Sequence, residues 1–279
     1  MSPTLENVVE FLNMLFQKGL HYSALNSARS ALSSIIVLQG KPVGQHPIII
    51  RFLKGAFNLR PTFPKTNVTW DPEILLKFLR TMSPVRFLSL KELTLKTTAL
   101  LWLLTGQRGQ SLQCVDVRNL TIDKHVLKIR FGDTLKTTRP GHQQSELKIR
   151  AYAPDRRLCL ITVMLEYLKR TKAIRKNVTQ LFISIQKPHE GVSRDTISRW
   201  VKLVMVKAGL DISVFTPHSV RGASTSAALR AKVPLETILT TAGWRKDNTF
   251  RKYYNKPLKG GDGEYAAKIL QESADKATK

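Results

Sequence analysis

A segment with two prolines, which runs from Arg60 to Asn67, divides this chain of 279 residues into two parts. Proline fixes one backbone angle, lacks an amide donor and restricts the residue before it, so this segment continues neither a helix nor a strand. Its other residues are polar and show no periodicity, which is typical of a linker. We therefore predict two domains, residues 1–62 and residues 67–279.

The part before the linker carries apolar residues at helical spacing. Two runs show this spacing, Val8 to Leu15 and Leu25 to Ile36, and glycine follows each run. A third, shorter helix is predicted between His46 and Asn58. These patterns predict a small helical domain.

The part after the linker begins with helix-start signals. Asp71-Pro72-Glu73 combines an N-cap residue, a proline at the first helical position and an acid in the first turn. Ser89 and Glu92 have the spacing of a capping box, and the helix that they start should end at Thr105-Gly106. Later helical patterns begin near Leu158 and Ser193.

Between these helices the pattern changes to strand alternation. Residues 126–131 and 146–150 alternate apolar and basic side chains, which predicts two antiparallel strands with one basic face. The polar segment between them, Gly132 to Ser145, predicts a long hairpin tip. The expected fold class is therefore mainly α, with a small antiparallel β-sheet in the second domain.

The charge of the chain points to a polyanionic partner. There are 45 basic and 20 acidic residues, which gives a net charge of +25. Membranes and RNA are polyanions too, so charge alone does not select DNA. No apolar run approaches the roughly 20 residues of a membrane span, and the first residues lack the pattern of a signal peptide. Cys114 and Cys159 lack CxxC spacing, which predicts reduced, buried thiols in a cytosolic or nuclear protein.

Two arginines in short motifs suggest chemistry on a phosphodiester. Arg108 ends the run Leu104-Thr105-Gly106-Gln107-Arg108, and Arg221 ends the box His218-Ser219-Val220-Arg221. When a nucleophile attacks phosphorus, negative charge collects on the nonbridging oxygens, and fixed donors must stabilise it. A guanidinium is planar, permanently charged and able to bind bidentately, so two arginines can do this without a metal.

The other members of such a site also occur in the C-terminal half. His218 lies three residues before Arg221, on the same face of a helical turn, and can donate to the phosphate or carry a proton. Trp244 in Ala242-Gly243-Trp244 offers an indole N–H, and Tyr253 or Tyr254 can supply a phenol nucleophile.

Other chemistries fit the sequence poorly. The six histidines are scattered, and neither HExxH nor CxxC occurs. Asp116, Asp123 and Asp133 lack the partner spacing of a two-metal nuclease. Because there is also no Gly-Lys-Ser/Thr phosphate loop, we expect no metal, no cofactor and no nucleotide.

The order and spacing of these residues resemble the tyrosine recombinase (phage integrase) family. Arg221 precedes Trp244 by 23 residues, and Trp244 precedes Tyr253 by nine. Both intervals are similar to those of the family, which favours Tyr253 over Tyr254 as the nucleophile. Three further segments look like the recombinases of DIRS-type retrotransposons, namely Phe57–Pro61, Leu104–Arg108 and Leu135–Gly141.

The resemblance implies a fold, an activity and partners. Residues 1–62 would be a helical, SAM-like core-binding domain and residues 67–279 the catalytic domain, and together they would clamp double-stranded DNA. The enzyme would cleave and rejoin DNA through a 3′-phosphotyrosyl intermediate, with strand exchange in a homotetramer. Its expected location is the nucleus, or the cytoplasm if the host is prokaryotic.

The resemblance also implies catalytic residues, which are Arg108, His218, Arg221, Trp244, Tyr253 and a hairpin lysine. The lysine would protonate the departing 5′ oxygen. Lys136 lies in the predicted hairpin and is the first choice, whereas Lys128, Arg139 and Lys148 stay open as alternatives.

One position departs from the family pattern. Many members have an acid three residues after the first arginine, where this chain has Ser111, and the nearest acid, Asp116, is off register. This leaves two alternatives, a DNA-binding derivative with impaired chemistry and a type IB topoisomerase-like enzyme. A general RNA binder is disfavoured because no RNP-type aromatic signature occurs.

Overall fold

A computed structural model describes residues 3–62, 66–132, 135, 138, 146–245 and 247–259. This part of the chain is mainly helical with small antiparallel sheets, which confirms the predicted fold class. The chain divides into two compact units, Met1–Lys65 and Thr66–Lys279. Across the described ranges, no helix has the length and apolar character that a membrane span requires.

Three helices and a two-stranded hairpin form the first unit. In chain order they are α1 (Leu5–Gln17), α2 (Tyr22–Ile35), β1 (Val37–Leu38), β2 (Lys41–Pro42) and α3 (Pro47–Leu59). Leu12, Leu25 and Ile49 are fully buried in its core, one from each helix. The three helices were predicted from apolar spacing. The hairpin was not, because each of its strands is only two residues long.

The second unit contains the remaining described helices. They are α4 (Pro72–Thr81), α5 (Leu90–Thr105), α6 (Gly109–Gln113), α7 (Leu160–Thr171), α8 (Arg194–Lys207), α9 (Ser219–Arg230), α10 (Leu235–Ala242) and α11 (Asp247–Tyr253). The predicted helix starts are confirmed. Asp71 accepts a hydrogen bond from the Glu73 amide, and Ser89 and Glu92 form the capping box at the start of α5.

Helix α5 is the buried centre of this unit. It packs against α7, α8 and α9, so side chains on all its faces are buried. Its buried threonines satisfy their hydroxyls by donating to the carbonyl four residues earlier; they are Thr94, Thr97, Thr98 and Thr105. The end of α5 is therefore a fixed support for the loop that carries Arg108.

A three-stranded antiparallel sheet lies between α6 and α7 in the chain. Its strands are β3 (Leu120–Ile122), β4 (Val126–Ile129) and β5 (Leu147–Arg150), in the order β3-β4-β5. Leu127 and Ile129 are buried, whereas Lys128 and Lys148 pair across the strands on the other face. Lys136 and Arg139 of the predicted hairpin tip lie outside the described residues.

A separate small core surrounds α10 and α11. Ile238, Ala242, Trp244 and Phe250 are buried together there, and Tyr254 packs against them. The residues that follow α11 are therefore anchored on the second unit as far as the structure describes them. The sequence also predicts a short helix from Tyr265 to Leu270, and these residues lie outside the described part of the chain.

Candidate active site

The first turn of α9 carries the His218-Ser219-Val220-Arg221 box. His218 is the N-cap residue and Arg221 lies in the first turn of the helix. The indole of the buried Trp70 donates from Nε1 to Ser219 Oγ at 2.8 Å. This bond ties the start of α9 to the segment that leads into α4, so the box has a fixed position.

The guanidinium of Arg221 is completely buried and only partly hydrogen-bonded. Its Nη1 donates to the Gly106 carbonyl at 2.8 Å, but Nε and Nη2 have no partner among the described residues. The ring of Trp244 covers it, with the guanidinium carbon 4.0 Å from the ring centroid. Burial, and after it the charge of Arg108, lowers the pKa of Arg221 to about 9. A buried cation without an anion is costly, so this site favours an incoming anion.

Arg108 reaches the site from the loop after α5. Gly106 ends α5 in the left-handed conformation, with φ of 56°, which turns the chain toward α9. The side chain of Gln107 is buried and donates to a carbonyl near the end of α10. Burial first, and then nearby positive charge that includes Arg108, lowers the pKa values of Arg221 and His218. Arg108 therefore belongs to the same cluster.

No carboxylate orients Arg108 within the described ranges, where none of the ion pairs includes it. Asp116 is instead engaged by Arg118, whose hydrogen bonds hold the pKa of Asp116 at about 2. Ser111 lies buried one turn after Arg108. The loop that carries Arg108 is held by Gly106 and Gln107 on one side and by α6 on the other.

Trp244 enters the cluster through a glycine helix stop. Gly243 is left-handed, with φ of 69°, and the Trp244 amide donates back to the Leu239 carbonyl at 2.8 Å. This turn folds the indole over Arg221. Its Nε1 is buried and has no partner in the described part of the chain. Trp244 thus offers a further free donor next to the guanidinium.

The structure places the side chains of the two adjacent tyrosines in different surroundings. Tyr254 Oη lies 2.9 Å from His218 Nε2, and the Tyr254 ring centroid lies 4.7 Å from that of Trp244 and 5.3 Å from the guanidinium carbon of Arg221. Tyr253 is 56% exposed, and its ring lies near Lys252 Nζ. The sequence spacing favoured Tyr253, but the geometry brings Tyr254 into the cluster.

His218 is suited to accept the phenol proton of Tyr254. Part of the imidazole is open to solvent, but desolvation, followed by the charges of Arg221 and Arg108, lowers the pKa of His218 below its ordinary value of 6.5. The imidazole is therefore neutral at neutral pH, and Nε2 can act as the acceptor.

The structure thus brings together Arg108, His218, Arg221 and Trp244 of the residues predicted from sequence. The predicted lysine, Lys136, lies outside the described residues, whereas the alternative Lys148 lines a cavity beside Thr105 and α10. No sequence pattern predicts that the Gly106 carbonyl accepts from Arg221. In the described part of the chain, no cluster of His, Cys, Asp or Glu could hold a metal ion.

A family model assigns the chain to a known class of proteins. Residues 73–259, more than half of the chain, match the phage integrase family, and the chain belongs to this family of tyrosine recombinases and integrases. No curated protein matches the sequence.

Solved structures share the fold at low sequence identity. The XerH recombinase in a post-cleavage complex with a palindromic difH substrate has a TM-score of 0.60 and 15% identity, over 99% of this chain and 73% of that one. The Tn1549 transposon integrase in complex with transposon right end DNA has a TM-score of 0.58 and 16% identity, over 97% and 86% of the two chains. A lambda integrase dimer bound to a COC′ core site has a TM-score of 0.52 and 17% identity, over 91% and 80%.

Proposed function

We propose that this protein cleaves and rejoins double-stranded DNA through a covalent bond between Tyr254 and a 3′ phosphate. The observation that carries the proposal is the buried Arg221 guanidinium, which lies beside the Tyr254 ring and has two nitrogens without a partner among the described residues. A phosphodiester would supply the anion that these donors lack. Membership of the phage integrase family and the fold shared with recombinases solved on DNA support duplex DNA as the substrate.

The cluster contains a nucleophile, a proton acceptor and donors for the phosphate, which are groups that a cleavage step requires. Tyr254 Oη attacks phosphorus, its proton passes to His218 Nε2, and the bond from phosphorus to the 5′ oxygen breaks. Arg108, Arg221 and the indole N–H of Trp244 stabilise the charge that develops on the nonbridging oxygens. The departing oxygen gains a proton from Lys136 or from one of the alternative hairpin residues.

Rejoining is the reverse of this step. The phosphotyrosyl bond conserves the energy of the phosphodiester, so the 5′ hydroxyl of another strand can displace Tyr254 without ATP. Exchange of strands within a homotetramer and an origin in a DIRS-like element belong to the same proposal, and both rest on the sequence resemblance.

A nicked suicide substrate tests the proposal. The nick releases a short fragment after cleavage and so traps the covalent adduct, and a pool of randomised duplexes covers the unknown target. We expect a denaturation-resistant adduct in the presence of EDTA, no adduct with Tyr254→Phe and a retained adduct with Tyr253→Phe. Arg221→Lys keeps the charge but loses the planar fork, and should slow cleavage by about a hundredfold or more.

The products separate this function from its rivals. Recombinant joints would identify a recombinase, whereas relaxation of supercoiled DNA without joints would identify a topoisomerase-like enzyme. Tight DNA binding without any adduct would contradict the proposal and support a derivative that has lost its chemistry.

A further inference from the structure

One face of α9, together with its N-cap residue, meets Tyr254 at three positions. His218, Gly222 and Ser226 are spaced four residues apart, so they follow one face of the helix. His218 meets the phenol oxygen, and a Cβ built on Gly222 would lie 3.8 Å from Tyr254 Cδ1. Ser226 Oγ donates to the Tyr254 carbonyl at 2.5 Å. The hydroxyl, ring and backbone of Tyr254 are thus placed by successive turns of the helix that also carries Arg221.

Ser226 holds the backbone on both sides of Asn255. Its Oγ donates to the Tyr254 carbonyl and accepts from the Lys256 amide at 3.2 Å. The side chain is only 2% exposed. Because both hydrogen-bonding functions of this buried hydroxyl are used, its removal would leave a carbonyl and an amide without their partner.

A second set of bonds anchors the segment further along. The Thr69 amide donates to the Pro257 carbonyl and the Lys259 amide donates to the Thr69 carbonyl, each at 2.8 Å. Lys256 Nζ donates to the Thr66 carbonyl at 2.7 Å. These bonds hold the segment on residues 66–69, but none of them reaches Tyr254. The Tyr254 and Asn255 amides both donate to the Phe250 carbonyl at 2.9 Å, which ties them to α11, and Ser226 supplies the side-chain hydrogen bond from α9 to the Tyr254 backbone.

We propose that Ser226 is a positioning residue that sets the distance between Tyr254 and the phosphate held by Arg221. The inference rests on the proposed function, because it takes Tyr254 as the nucleophile. Ser226 and Arg221 belong to one rigid helix, so the hydroxyl fixes the nucleophile in the frame of the phosphate. A misplacement of about 1 Å in a reacting group can cost about a hundredfold in rate.

Ser226→Ala and its matched control, Ser224→Ala, test this role. Ser224 lies on the same helix but off the face that lines Tyr254. We expect Ser226→Ala to lower the single-turnover rate of adduct formation by about 10- to 100-fold with unchanged DNA affinity, and Ser224→Ala to leave the rate unchanged. A 5′-bridging phosphorothiolate, whose leaving group needs no proton, should not restore the rate of Ser226→Ala. Restoration would place the defect at the leaving group and overturn the inference.

Fluorine NMR of a labelled tyrosine reports the surroundings of Tyr254 independently of cleavage. In protein labelled with 3-fluorotyrosine, Tyr254→Phe assigns the Tyr254 resonance, and Ser226→Ala should shift or broaden it while Ser224→Ala does not. An unchanged resonance overturns the inference, and so does a changed resonance with a wild-type cleavage rate. If the wild-type protein forms no adduct, the proposed function is refuted. If Ser226→Ala nevertheless changes the Tyr254 resonance, Ser226 still positions Tyr254. If Ser226→Ala does not fold, Ser226→Cys serves as the second variant.

Discussion

Arg221 carries its charge inside the protein, and no carboxylate of the described residues pairs with it. One nitrogen is satisfied by the Gly106 carbonyl and the ring of Trp244 covers the guanidinium, but two nitrogens stay unpartnered in the described structure. A carboxylate would satisfy them and would also compete with a phosphate. Since electrostatic interactions are stronger in a site of low dielectric, these free donors favour an anion more than surface arginines would.

In the proposed mechanism, the indole of Trp244 has two separable roles. Its N–H donates to the phosphate, and its ring covers the Arg221 guanidinium. Trp244→Phe keeps an aromatic ring over the guanidinium but loses the N–H, and we expect cleavage to slow by up to about a hundredfold. Trp244→Ala also uncovers Arg221 and empties part of the small core, so it should cost about 3–5 kcal/mol of unfolding free energy as well. Single-turnover rates and denaturant unfolding measure the two effects. Equal cleavage by wild type and Trp244→Phe would remove the indole N–H from the mechanism.

The pH dependence of cleavage should report the protonation of His218. The site requires a neutral imidazole, and desolvation together with the neighbouring arginines lowers the pKa of His218 below 6.5. The rate should therefore fall on the acid side as the imidazole gains a proton, with the midpoint of this fall below pH 6.5. The rate constant of adduct formation against pH shows this limb, and His218→Gln should lower the rate and abolish the limb. An acid limb centred above 6.5 would contradict this assignment.

Two helix ends deliver the residues of the site. Gly106 stops α5 just before Arg108, and Gly243 stops α10 directly before Trp244, both in the left-handed conformation. Such stops are local signals, and the sequence showed the first one clearly. It could not show that the carbonyl exposed at the Gly106 stop would accept from Arg221, because that contact joins residues more than a hundred positions apart.

The role of Gly106 can be tested against Gly209, which is also left-handed but has no described atom within 4 Å of a built Cβ. Gly106→Ala forces alanine into φ of 56° and places Cβ 3.0 Å from Thr225 Cγ2, so the Thr225 methyl or the loop must shift, and a shift of the loop moves the Arg221 acceptor. Gly209 has φ of 82° and open space around it. Each substitution should cost about 1–2 kcal/mol of stability, but only Gly106→Ala should also slow adduct formation. Equal cleavage rates at matched temperature would contradict a role for the loop in the site.

The sequence predicted those elements whose signals are local. The starts of α4 and α5 carry caps, and β4 and β5 alternate strictly, so all of them were found. Strand β3 was missed because it has three residues. Helix α9 has no apolar stripe, since the residues that it buries include the polar Arg221, Thr225 and Ser226. The choice between Tyr253 and Tyr254 depends on the direction in which each side chain points at the end of α11. The number of residues between two motifs does not predict that direction.

At the scale of the whole molecule, the net charge of +25 fits a protein that binds a polyanion. The sequence predicted this property from composition alone, and the family membership of residues 73–259 narrows the expected polyanion to DNA. How many phosphates the protein contacts depends on the surface of both units and not on the total charge.

The salt dependence of DNA binding tests this expectation. If the protein neutralises about 6–10 phosphates, its affinity for duplex DNA should fall by about 10³- to 10⁵-fold between 50 and 200 mM salt. Equilibrium titrations with a labelled duplex measure the slope, and a single-stranded RNA of equal length is the control. A flat salt response, or a clear preference for the RNA, would contradict a clamp on duplex DNA.

Identification of the residue that carries the DNA is the most direct test of the central claim. Trypsin should release one peptide that contains both tyrosines, Tyr253–Lys259, because Pro257 blocks cleavage after Lys256. After the trapped adduct is digested with nuclease and trypsin, tandem mass spectrometry can place the nucleotide on one of the two rings. We predict a nucleotide on Tyr254. A nucleotide on Tyr253, or an unmodified peptide from protein that has cleaved its substrate, would contradict the account.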